Sequence, residues 1–124
     1  MSIAITIAPD LDDDAHEVAR FGRLPLLRRL AHSTACGWPM YPAVETGPAR
    51  AVYRCHPGRC GDHAVELDEA DRIVLAQVAT KSGMPVGLAD WKTQRAFIVQ
   101  RVSLVRINSD PDAATVAAIV YRST

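Results

Sequence analysis

The chain has 124 residues, of which 14 are basic and 14 acidic, so its net charge is zero with histidine neutral. Hydrophobic residues make up 48 %, enough at this length for one core, or a small core with an appendage, and too many for a disordered chain. No apolar run approaches the ~20 residues of a membrane span, and the N-terminal MSIAITIAPDLDDD lacks a signal peptide's basic flank, which excludes a membrane partner and points to the cytoplasm.

Charge is unevenly distributed. Residues 1–19 carry five acids and no Lys or Arg, whereas residues 20–60 carry seven arginines against Glu45 alone. A basic stretch of this kind can meet phosphates through the bidentate guanidinium fork, or its arginines can pair with the flanking acids on a solvated face.

In chain order, Ser2 to Ala8 alternates around Ile3, Ile5, Thr6 and Ile7 and reads as a strand stopped by Pro9. Asp12 to Arg20 reads as a helix whose acidic first turn suits the macrodipole. Its acids lack a calcium loop's glycine and distal Glu, so they are read as a solvated helix start. Leu24, Leu26, Leu27 and Leu30, with Arg28 and Arg29 interposed, form an apolar cluster expected in the core.

The stretch from His32 to Cys60 holds all three cysteines, Cys36, Cys55 and Cys60. An odd number suits reduced thiols or metal ligands better than a disulfide framework. A cysteine at a Gly-Trp-Pro-Met turn, followed by a β-rich return to a second close pair, is the arrangement of a zinc ribbon. Tetrahedral zinc needs four donors, and a small sheet needs the metal for want of core. The second knuckle, Cys55-His56-Pro57-Gly58-Arg59-Cys60, is intact, but Ser33 stands three residues before Cys36, where a cysteine would complete the first. His32 is the nearest replacement, with His56 and His63 as further donors. The expected metal set is Cys36, Cys55, Cys60 and His32 around zinc, and the alternative is three buried thiols in a ribbon held by packing alone.

Pro42 to Arg50, rich in Pro, Gly and Ala, is expected as an exposed loop, and Ala51 to Cys55 as a returning strand with Val52 and Arg54 on one face and Tyr53 on the other. Leu67, Ala70, Val74 and Val78 then predict a helix with acids in its first turn, ending near Lys81 and Gly83 before Pro85. Met84 to Gly87 links it, as a candidate hinge, to a second helix over about Leu88 to Val102, with Trp91, Phe97, Ile98 and Val102 inward. Trp91 is expected to anchor the core. Ser103 to Asn108 and Thr115 to Arg122 alternate around Ser109-Asp110-Pro111-Asp112 and predict a hairpin. The expected class is α+β. Residues 1–23 would give an N-terminal strand and short helix, 24–83 a zinc-ribbon-like domain with its helix, and 84–124 a helix and hairpin.

Three stretches resemble the C-terminal part of the large serine recombinases of the phage-integrase and resolvase type. Leu26 to Tyr41 is similar to the family's leucine-rich lead-in and first knuckle, with Cys36, Gly37, Pro39 and Met40 matching. Tyr53-Arg54-Cys55 and Cys60-Gly61 are similar to its Tyr-x-Cys and Cys-Gly return, and Val65 to Val78 to the helix that follows. Trp91, Arg95 and the segment to Ile107, with the Asp-Pro turn and last strand, are similar to its closing helix and hairpin. The resemblance implies a DNA-binding ribbon. It carries over neither strand exchange, since nothing here matches the catalytic serine domain, nor the long coiled-coil excursion, since about ten residues separate the helices.

Two function classes follow. The first is a non-catalytic module binding double-stranded DNA, with Arg28, Arg29, Arg50, Arg54 and Arg59 on phosphates. The second is a protein-interaction module that binds a recombinase, a regulator or another phage or host protein through an apolar face or sheet edge. An enzyme ranks third, because Cys55 and His56 are adjacent on a strand and point to opposite faces.

Overall fold

A computed structural model describes residues 9–46, 49–55, 64–84, 90–108 and 113–122, with backbone alone for 9–14. The expected strand at Ser2 to Ala8 lies outside them, as do Cys60, Arg59 and the hinge residues after Met84. Helix α1 runs Pro9–Phe21 and starts on a proline, whose fixed φ and missing N–H are harmless in the first turn. The chain then turns into the short strand β1 (Ala31–Ser33).

Strands β2 (Tyr41–Glu45), β3 (Arg50–Arg54) and β4 (Ala64–Glu66) make an antiparallel sheet in the order β2-β3-β4. The expected loop at Pro42 to Arg50 is therefore shorter. Pro42 pairs with Tyr53, and Ala43 with Val52, inside the ladder. Proline is tolerated because β2 is an edge strand, where its missing N–H removes no bond from a central ladder. The centre of β3 is enclosed on both faces, with Val52 and Tyr53 both fully buried.

Helix α2 (Leu67–Ser82) buries Leu67, Ala70, Val74 and Val78, the three- and four-residue spacing that puts side chains on one face. Helix α3 (Trp91–Arg101) starts at an Asp90 carboxylate that accepts the Thr93 N–H at 2.8 Å, and it buries Phe97 and Ile98. Trp91 does not anchor the core. It is half-buried at the first residue of α3, outside the hydrophobic cluster, because only the last turns of this helix face inward. Strand β5 (Val102–Ile107) follows without a loop and pairs antiparallel with β6 (Val116–Tyr121), the expected hairpin.

The second sheet has the order β1-β5-β6, with β1 parallel to β5. One hydrophobic cluster joins Leu26, Leu27 and Leu30 to Tyr53, to the inner face of α2, to Phe97 and Ile98, and to Val105 and Ile107, with Phe21 packed against it. Each fully buried side chain of this size contributes about 1.5–3 kcal/mol. The protein is thus α+β, and its core is shared by every described segment. Among the described residues, no helix is long and apolar enough to cross a membrane.

Candidate nucleic-acid interface

Residues 23–31 carry the paired arginines, and side chains from three elements fix their path. Asp71 of α2 accepts the Leu26 N–H at 3.1 Å. The Tyr53 hydroxyl accepts the Leu27 N–H at 2.9 Å and donates to Asp71 Oδ1. Arg95 of α3 donates to the carbonyls of Pro25 and Leu26 at 3.2 and 3.0 Å. Arg23 closes the group with 2.9 Å ion pairs to Asp71 and Asp68. Among the described residues, no buried side-chain nitrogen or oxygen lacks a hydrogen-bond partner. Burial is the largest influence on Asp71 and raises its pKa against the bonds from Tyr53 and Leu26 and the charge of Arg23. Burial, then the neighbouring Asp71 charge, holds the Tyr53 hydroxyl well above the ordinary phenol range, so it stays protonated as a donor.

This clamp leaves an open cleft of about 400 Å³ between α1 and the chain leading through β2. His16, Glu17 and Arg20 line one side, Arg28 and Arg29 the floor and rim, and Met40 and Tyr41 the other. Arg28 lies buried, with its Nε 3.1 Å from Glu17 Oε1, which fastens the turn to α1. Arg20 and Arg29 are exposed. Arg20, Arg28 and Arg29 thus line one cleft, with Glu17 paired to Arg28. Arg20 was legible as part of the basic stretch, but no local signal places it opposite Arg29.

The other expected phosphate contacts lie on the neighbouring sheet. Arg50 makes an exposed ion pair with Glu45 at 3.0 Å, and Arg54 approaches the other Glu45 oxygen at 3.7 Å. Such surface pairs are worth about 0–1 kcal/mol and can yield to a phosphate. Arg50 also lines a second depression of about 230 Å³ with Arg20 and Arg23, so basic side chains run from the cleft onto β3. Arg59 lies outside the described residues.

The expected zinc donors do not assemble among the described residues, where no group of three or more His, Cys, Asp or Glu side chains could hold a metal. Cys55 is buried and Cys36 half-buried. His32 Nδ1 lies 3.0 Å from the Leu30 carbonyl. Ser33, at the position of the missing cysteine, is buried, and its hydroxyl accepts the Ala35 N–H at 3.1 Å. Bonds of 3.0 Å from Ser33 N–H to the Trp38 carbonyl and 2.8 Å from Gly37 N–H to the Ser33 carbonyl complete this turn. Cys60, His56 and His63 fall outside the described residues.

No family model matches the chain, and no curated protein matches it. Its fold is similar to a solved structure described as "Sequence Requirements of the Listeria innocua prophage attP site", with a TM-score of 0.56 and 15 % sequence identity. The match covers 78 % of this chain and 42 % of that one, so this chain spans less than half of that neighbour's length. At this identity the likeness is one of fold.

Proposed function

We propose that this protein is a non-catalytic module that binds double-stranded DNA through the basic cleft and the adjoining face of β3. The observation that carries the proposal is the convergence of Arg20, Arg28 and Arg29 on one open cleft, with Arg50 beyond it, in a chain whose net charge is zero. The fold likeness to a structure concerned with a prophage attP site supports the same reading, as does the sequence resemblance to the recombinase ribbon. Guanidinium groups on phosphates supply affinity and position, and counterion release makes that affinity fall steeply with salt.

The test is an anisotropy titration with a labelled duplex over a range of ionic strengths. Binding at low salt that weakens linearly on a log–log plot is expected, and absence of binding at low ionic strength ends the proposal. A second reading, a protein-interaction module, is favoured by β6, which among the described residues is an uncharged edge strand with Val120 exposed. Recovery of a protein partner in a pull-down, with no duplex binding, would select it.

A further inference from the structure

The sheet of β1, β5 and β6 turns one face to the core and the other away from it. Ala31, Ser33, Val105 and Ile107 are buried, and Ile119 packs against the hydrophobic cluster. Side chains alternate along a strand, so His32, Leu104, Arg106, Ala118 and Val120 lie on the opposite face. The register orders them in rows: His32 stands beside Arg106 and Arg106 beside Ala118, with Leu104 beside Val120. Arg106, Ala118 and Val120 are exposed, and none of the three strands contains an acid. The first row meets the cleft, because Pro39 forms an antiparallel bridge with His32 and also lines the cleft. Two strand spacings put Arg106 about 10 Å beyond that wall, less than a third of a duplex turn of about 34 Å. Arg106 also differs from the other arginines of this half of the chain. Arg95, Arg101 and Arg122 donate to the carbonyls of Leu26, Phe97 and Val99, whereas Arg106 has no ion pair or side-chain hydrogen bond among the described residues.

We propose that Arg106 contacts a further backbone phosphate of the duplex, so that the DNA footprint runs from the cleft across Pro39 and His32 onto the outer face of β5. This rests on the DNA-binding reading above and extends its surface to an element outside the basic stretch of residues 20–60. A guanidinium on a face without carboxylates complements a polyanion, and it meets a phosphate through charge-assisted hydrogen bonds. The His32 ring is held in the row by its Nδ1, 3.0 Å from the Leu30 carbonyl, and fills the step between the cleft wall and Arg106. The contact is to the backbone, so it adds affinity and fixes position without reading sequence.

Duplex titrations at several ionic strengths test this on the wild type, Arg106→Gln, Arg106→Lys, Ala118→Glu and Lys81→Gln. Lys81 belongs to α2 and lies over the Tyr121 ring at 4.2 Å, away from the row, so its variant removes the same charge elsewhere. Arg106→Gln is expected to bind the duplex more weakly, with a log–log salt slope smaller by about one. Arg106→Lys should keep the slope, and Lys81→Gln both slope and affinity. Ala118→Glu, which sets a carboxylate beside Arg106, should weaken binding although it removes no arginine. Wild-type affinity and slope in Arg106→Gln and Ala118→Glu would overturn the assignment while leaving DNA binding at the cleft intact, and so would an equal loss in Lys81→Gln. A wild-type protein that ignores duplex DNA would overturn both.

Discussion

Asp71 puts a carboxylate where the period of α2 calls for an apolar side chain, four residues after Leu67 and three before Val74. It is tolerated because Leu26, Tyr53 and Arg23 all bond to it. Removing one member of such a group leaves the others buried and unpartnered, which is worse than never having them. Its pKa in the folded protein lies above the ordinary 3.8, since burial outweighs its partners. Folding therefore favours the protonated form. The stability this contributes is fully present below about pH 3.8 and is lost as pH rises through the folded-state value. Urea unfolding of wild type and Asp71→Asn is expected to show the wild-type advantage shrinking between acid and neutral pH, and a gap that grows with pH would contradict this. From the sequence, Asp71 counts among the acids that suit the start of the helix. Its partners on β3 and in the leucine-rich turn are distant in sequence, and spacing alone does not reveal them.

The ends of α2 and α3 show which element boundaries local chemistry sets. Gly83 ends α2 with φ 69°, and its N–H bonds back to the Thr80 carbonyl at 3.3 Å. A Cβ placed there would meet nothing within 4 Å, so the cost of Gly83→Ala is that of the backbone conformation alone, about 1 kcal/mol. A lowered midpoint in a thermal or urea melt checks it. This end of α2 was legible from Lys81, Gly83 and Pro85. The start of α3 was not, because the expected helix began at about Leu88, whereas Asp90 caps it and Trp91 is its first residue. The reach of β2 was hidden because Pro42 reads as a turn residue until its edge position is known.

At the scale of the molecule, the expected α+β class and hairpin followed from alternation and helical period, whereas the joining of the two sheets did not. The ribbon-like sheet packs into the common core through Tyr53 and Cys55, and the Ser33 hydroxyl and main chain hold the first turn. Because hydrogen bonds within the described residues hold the Ser33 turn, addition of a chelator is expected to leave the melting temperature unchanged. Elemental analysis with a chelator melt checks this, and stoichiometric zinc with a large drop on chelation would restore the metal-bound ribbon.

Strand β1, which launches the cysteine turn, aligns Ala31 with Val105 and Ser33 with Ile107, and the Val105 N–H bonds to the Leu30 carbonyl at 2.8 Å. Partners so far apart in the chain close a large loop late, and folds dominated by such pairs assemble slowly. During synthesis, the arginine turn must wait for residues translated some seventy positions later before it is pinned on both sides. A ribosome-bound fragment ending before β5 would therefore present its arginines on an unformed surface.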